Sequence, residues 1–158
     1  MLQEKKIYGL IGKNISYSFS KKYFNKKFIK TDFKNCCYKN FDLNNLENLN
    51  NIIKKNNVRG LNVTIPYKEN IISLLDSLSL EATQIGAVNT IKIDSNKKLI
   101  GYNTDYIGFI NSIKPLLNSK QKKAIILGSG GASKAIIYSL NKMNISSLIV
   151  SRNKLRGD

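Results

Sequence analysis

Lys68 and Asp105 are the residues whose types could move a proton. Lys68 closes the stretch Gly60-Leu61-Asn62-Val63-Thr64-Ile65-Pro66-Tyr67-Lys68, just after a strand-like run and a proline. A lysine held beside a carboxylate can pass a proton to or from a substrate oxygen. Asp105 ends Gly101-Tyr102-Asn103-Thr104-Asp105 and is one of only ten acidic residues. Its plain structural alternative is a helix N-cap. Strand alternation places Asn62 and Thr64 on one face, and Asn89 ends the apolar run Gly86-Ala87-Val88-Asn89-Thr90 with an amide. Ser18 and Ser20 stand two apart in Ile15-Ser16-Tyr17-Ser18-Phe19-Ser20. In extended chain both hydroxyls face one ligand; otherwise either caps the helix that follows. Amides and hydroxyls of this kind suit a small anionic or polyhydroxy molecule.

A second chemistry begins at Gly128-Ser129-Gly130-Gly131-Ala132-Ser133, which follows the apolar run Lys123-Ala124-Ile125-Ile126-Leu127. A glycine-lined turn from strand to helix lets backbone N–H groups approach a pyrophosphate at the positive helix end. The fingerprint G-x-G-x-x-G/A is met at Gly128 and Gly130, with Ser133 in the last place. About 20 residues past the first glycine, a carboxylate usually marks NAD. Here the next strand ends in Ser151-Arg152-Asn153, with Arg156 beyond. Arginine at this place suits a 2′-phosphate, and so NADP. The chain has only three arginines, and two of them fall here.

Composition removes several classes. There is no histidine, so Ser-His-Asp and Cys-His catalysis and the usual zinc sites are excluded, and no metal is expected. Cys36 and Cys37 are adjacent, a poor start for a disulfide framework. The net charge of +16 raises the question of nucleic acid, but 23 of the 26 basic residues are lysines without a long cluster. Nucleic-acid readers favour arginine. Asn (21) and Ile (22) are inflated alongside Lys, and all three share A/T-rich codons. No apolar run approaches the roughly 18 residues of a membrane span, and the N-terminus has no signal-peptide core. No membrane partner is expected, and the location expected is the cytoplasm.

Short β-like runs alternate with helical stretches, the α/β pattern. Strands are expected at 6–11, 36–41, 59–65, 87–93, 98–102, 123–127 and 147–150. Helices are expected at 20–30, around 46–53, 68–75 and 80–85, and at 105–116 and 132–143. The run 123–127 reads as a buried parallel strand, opening a βαβ unit. A boundary is expected near 102–105.

Taken in order, Tyr8 to Gly12, Ser18-Phe19-Ser20, Gly60 to Lys68, Gly86 to Thr90, Asn103-Thr104-Asp105, Leu127 to Ser133 and Ser151-Arg152-Asn153 resemble the shikimate dehydrogenase family over essentially the whole chain. The resemblance implies an N-terminal α/β substrate-binding domain at 1–103, followed at 104–158 by the first βαβ unit of a Rossmann-type NADP-binding domain. It implies NADPH-dependent interconversion of 3-dehydroshikimate and shikimate, in the pathway to chorismate and the aromatic amino acids. Lys68 and Asp105 would be the catalytic pair. Ser18 and Ser20 would hold the substrate carboxylate, and Asn62, Thr64 and Asn89 would bind hydroxyl or carboxylate groups. Gly128, Ser129, Gly130, Gly131, Ala132 and Ser133 would hold the pyrophosphate; Ser151, Arg152, Asn153 and Arg156 would hold the adenosine end.

The sequence departs from the family at Tyr17, usually His, at Lys21, usually Pro, and at Ser151 and Asn153, which flank the arginine in place of Asn and Thr. The rest of the nucleotide sheet and the C-terminal helix of the family have no counterpart. The expectation is therefore a truncated enzyme of low or no activity, with a homodimer as one way to complete the site. The alternatives are a quinate/shikimate dehydrogenase using NAD, a non-catalytic remnant, and, weakest, a basic nucleic-acid binder.

Overall fold

The computed structural model describes residues 5–118 and 120–152. The chain runs β1 (Lys6–Gly12), α1 (Ser20–Lys30), β2 (Cys36–Asp42), α2 (Leu49–Lys55) and β3 (Val58–Val63). After a 3₁₀ turn at Asn70–Leu74 come β4 (Ser77–Leu78), α3 (Leu80–Ile85), β5 (Thr90–Ile93) and β6 (Leu99–Tyr102). Then follow α4 (Asp105–Ile113), a 3₁₀ turn at Lys114–Leu116, β7 (Lys123–Leu127), α5 (Gly131–Lys142) and β8 (Ser146–Val150). Among the described residues, no helix is long and apolar enough to cross a membrane.

Six strands form one mixed sheet in the order β2-β1-β3-β5-β6-β4. Helical crossovers α1 and α2 make β1 parallel to both β2 and β3, as crossover connections require. The hairpin β5–β6 is antiparallel, and Asp94 closes its turn by accepting from the Lys98 N–H at 2.9 Å. The pleat of β1 divides the core between the two faces. Ile7 and Ile11 join Leu61, Val63, Ile71 and Ile91 on one side. Leu10 joins Ile15 and Tyr38 under Phe24 and Phe28 of α1 on the other, where Phe24 stacks on Tyr38 at 4.7 Å between ring centroids.

β7 and β8 form a separate parallel pair. Ile126, Leu140 and Ile145 make its core, with Phe109 of α4 against it. A third cluster, Ile85, Ala87 and Ala135 with Tyr106 and Tyr138, joins α5 to the first sheet's elements.

Several expectations are corrected. β3 is expected to reach Ile65 and ends at Val63; the Thr64 N–H still donates to Ile11 O and Ile65 O still accepts from Lys13, after which Pro66 has no N–H to extend the pairing. The segment expected as a helix at 68–75 is 3₁₀, with i→i+3 bonds from Ile72 to Glu69 and from Leu75 to Ile72. It must exit into β4, whose entry is tied by the Asp76 N–H to Leu99 O. The helix expected to reach 116 tightens to 3₁₀ at Lys114, where Pro115 cannot donate to the α-helical ladder. β7 is parallel but only half buried: Ile126 faces inward, while Ile125 and Leu127 are exposed. Two-residue β4 leaves no sequence pattern to read.

Candidate functional site

Asp105 is the first residue of α4, with Thr104 at the N-cap. It is held there by Asn103, a buried amide that accepts from the Asp105 N–H at 3.0 Å and donates to Ala87 O at 2.9 Å. Its own carboxylate does not cap the helix. Oδ2 meets Lys68 Nζ at 2.5 Å, and Oδ1 accepts from Asn89 Nδ2 at 2.7 Å. The Lys68 side chain is 15% exposed and that of Asp105 32%, so the pair is sheltered but reachable from solvent. A chain of side-chain bonds runs on from Asn89. Thr90 Oγ1 donates to Asn89 Oδ1 at 3.0 Å and accepts from Asn62 Nδ2 at 3.3 Å. Tyr38 then donates its hydroxyl proton to Asn62 Oδ1 at 2.7 Å. Burial pushes the Tyr38 hydroxyl well above its ordinary value, while the Ser20 hydroxyl pulls the other way; Tyr38 therefore stays a donor. Asn62 and Thr90 also line an open groove with Tyr8, Phe24, Phe28 and Tyr38.

Ser18 and Ser20 are not in extended chain, because Phe19 between them is helical. Ser18 Oγ instead accepts from the Ser20 N–H at 3.2 Å, and Ser20 opens α1. The loop before them is anchored by Asp42, whose two oxygens accept from the Asn14 and Ile15 N–H groups. Thr64 lies just past β3. Its N–H donates to Ile11 O and its carbonyl accepts from Tyr67, and it is outside the side-chain network among the described residues. The structure thus joins Lys68, Asp105, Asn89 and Asn62 through Thr90, with Tyr38 at the far end; Thr90 and Tyr38 are two residues with no functional signal in the sequence.

The glycine turn fits a phosphate group. Gly128 has φ +108°, a conformation closed to L side chains. A Cβ on Gly130 would meet nothing within 4 Å, so the space in front of it is open. Gly130 is also the N-cap of the 12-residue helix α5 and offers no side-chain cap, so the first helical N–H groups are free of one. Ala132 and Ser133 lie in the first turn of α5. The hydroxyls of Ser129 and Ser151 lie 2.9 Å apart, and Gly128 N–H donates to Val150 O at 2.8 Å, which ties the turn to the end of β8. Arg152 follows, exposed; Asn153 and Arg156 lie outside the described residues.

Gly131 has a separate role that its spacing does not announce. A Cβ there would sit 2.8 Å from Lys68 Cβ and 3.5 Å from Ala87 Cβ. The glycine turn is therefore seated directly on the lysine of the Lys68–Asp105 pair. Lys134–Glu69 (2.7 Å), Tyr138–Gln84 (3.0 Å) and the buried Ser139 hydroxyl on Tyr106 O (3.0 Å) hold α5 in that seat.

Residues 10–91 match the family model for the shikimate dehydrogenase substrate-binding domain. The chain is 47% identical over 150 residues to a shikimate dehydrogenase (NADP(+)) of Clostridium botulinum strain Loch Maree, covering 92% of this chain and 57% of that protein. A crystal structure of shikimate dehydrogenase 1 from Peptoclostridium difficile superposes with a TM-score of 0.87 at 38% identity, over 96% of this chain and 59% of that one. The shikimate 5-dehydrogenase of Thermus thermophilus, solved with NADP(H) and shikimate, superposes with a TM-score of 0.82 at 29% identity, over 96% and 57% of the two chains. The chain thus spans somewhat more than half the length of the relatives it matches. With the family's substrate-domain model covering 10–91, the chain belongs to the shikimate dehydrogenase family.

Proposed function

We propose that this chain carries the substrate site and the phosphate-binding turn of an NADP-dependent shikimate dehydrogenase, which reversibly reduces 3-dehydroshikimate to shikimate. The observation that carries the reading is the Lys68–Asp105 contact at 2.5 Å, with Gly131 of the glycine turn seated on Lys68. Residues 1–103 form the substrate domain and 104–158 the beginning of the cofactor domain.

Bound NADPH supplies the hydride to the carbonyl carbon. Lys68 Nζ delivers the proton to the carbonyl oxygen, and the alcohol forms; in the reverse direction the lysine takes that proton back. Asp105 balances the lysine charge and orients Nζ through Oδ2. Its other oxygen is fixed by Asn89, so the carboxylate cannot swing with the substrate. Ser18 and Ser20 bind the substrate carboxylate, and Asn62, Thr64 and Asn89 bind hydroxyl or carboxylate groups. Gly128 to Ser133 hold the pyrophosphate at the α5 N-terminus. Ser151, Arg152, Asn153 and Arg156 hold the adenosine end, with arginine on the 2′-phosphate. The protein works in the cytoplasm on a small molecule, with neither nucleic acid nor membrane as partner. Self-association to a homodimer belongs to the same proposal, and sedimentation velocity reads it directly.

Two measurements test the reading: calorimetric titration with shikimate, and NADPH absorbance with 3-dehydroshikimate, each beside Lys68→Ala. Shikimate binding supports the substrate site whatever the turnover. Turnover lost in Lys68→Ala supports the whole mechanism. A folded chain that ignores shikimate removes the proposal.

A further inference from the structure

Thr90 stands between the two amides of the site, and the direction of every hydrogen bond around it is determined. The orientation starts at Asn89. Its Oδ1 accepts from the Thr104 backbone N–H at 2.8 Å, and its Nδ2 faces Asp105 Oδ1 at 2.7 Å. Turning this amide over would set N–H against N–H and oxygen against carboxylate, so only one orientation is stable. The Thr90 hydroxyl has a single proton and gives it to that Oδ1 at 3.0 Å. Its lone pair is then what Asn62 meets, so Asn62 must present Nδ2, at 3.3 Å. Asn62 Oδ1 is left for the Tyr38 hydroxyl at 2.7 Å. Every donor on the path from Tyr38 points toward Asp105, which Lys68 meets from the other side.

We propose that Thr90 is a positioning residue: its hydroxyl transmits the amide orientation set at Asn89 to Asn62. The two amides are then held as one unit in front of the Lys68–Asp105 pair. Thr90 acts through its neighbours and needs no contact with a reacting atom. The ligand in its test, though not the relay itself, rests on the substrate reading above.

Thr90→Val keeps the side-chain shape and removes the hydroxyl; Thr90→Ser keeps the hydroxyl and removes the methyl. The readouts are the side-chain amide NMR signals of Asn62 and Asn89 in the 158-residue chain, assigned from Asn62→Ala and Asn89→Ala, and the affinity for shikimate. Thr90→Val is expected to move both pairs of amide signals and to weaken shikimate binding about tenfold, the scale of one lost hydrogen bond. Thr90→Ser is expected to restore both. Signals that move only at Asn89, or a Ser variant as weak as the Val variant, overturn the relay. Should Thr90→Val not fold, Tyr38→Phe reads the same path from its far end. There the Asn62 signals should move while those of Asn89 stay, and movement of both would overturn the direction assigned. A wild-type chain that ignores shikimate overturns the substrate reading alone, because the amide spectra need no ligand.

Discussion

Lys68 and Asp105 make a pair whose two members have different neighbours, and that difference separates their variants. Asp105 is held by Asn89 and by its place at the start of α4. Removing the amine therefore leaves the carboxylate where it is. On the proposed reading, Lys68→Ala is expected to lower turnover by about 10²–10⁴, the range for a lost acid–base group, while shikimate still gives a binding isotherm. Asp105→Asn is expected to reduce turnover and lower stability together, because it leaves a sheltered ammonium without its counter-charge. Tyr38 gives the pH-dependent case. Burial raises its hydroxyl above the ordinary value of 10.0, so the folded protein keeps it neutral while the unfolded chain ionises. The stability that this neutral hydroxyl contributes is full below pH 10 and is lost as pH rises beyond it. At neutral pH, Tyr38→Phe should cost about 1 kcal/mol for its hydrogen bond. Urea unfolding at alkaline pH should show that cost shrinking. A cost that stays constant or grows would contradict the assigned direction.

At the level of elements, α5 does two jobs through adjacent glycines, and substitution should separate them. Gly130 has room for a Cβ and an ordinary φ of −85°. Gly130→Ala should cost no more than about 1 kcal/mol, for the poorer N-cap, and act mainly on anion binding at the helix end, read by titration with NADP. Gly131→Ala drives a methyl to 2.8 Å from Lys68 Cβ. It should cost about 1–3 kcal/mol as overpacking and should weaken shikimate binding too, because Lys68 must yield. The sequence made the turn legible, since strand, glycines and helix follow in order, but not this seat. Contact between Gly131 and Lys68 joins residues far apart in the chain, and no local pattern encodes it. Thr90 and Tyr38 were hidden for the same reason. Each looks like an ordinary β-residue until the ladder sets β3 between β1 and β5 and turns Asn62 toward both. The elements with a clear period, β1, α1, β2 and β6, stand close to where the pattern puts them, whereas β5, expected from Ala87, begins only at Thr90, because Ala87 packs against α5 and Asn89 turns its amide onto Thr104 and Asp105. The errors sit where proline or a tertiary exit overrides propensity, at Pro66, Pro115 and the entry to β4.

In the molecule as a whole, one face of the β7–β8 pair is apolar and exposed. β7 and β8 pair in register, Ile125 with Leu148 and Leu127 with Val150. Because side chains alternate across a strand, these four point to the same face, away from α5, and all four are exposed. Ile126, one residue away, points inward and is 9% exposed. A contiguous apolar face of this kind draws hydrophobic probes and other apolar surfaces, even on a chain whose net charge of +16 keeps copies apart. The alternation makes the prediction specific. The double variant Ile125→Thr/Leu148→Thr removes apolar surface that folding never buried, so the unfolding midpoint should hold while the fluorescence of a hydrophobic dye drops sharply. Ile126→Thr changes the same residue type one position along the same strand. It should instead cost about 2–3 kcal/mol, because it opens the cluster with Leu140 and Ile145 and buries a hydroxyl there. Equal losses from the two substitutions would mean that both faces of this strand pair are covered in solution. Dye binding unchanged by the double variant would place the exposed apolar surface elsewhere, with the aromatic groove beside Asn62 as the next surface to probe.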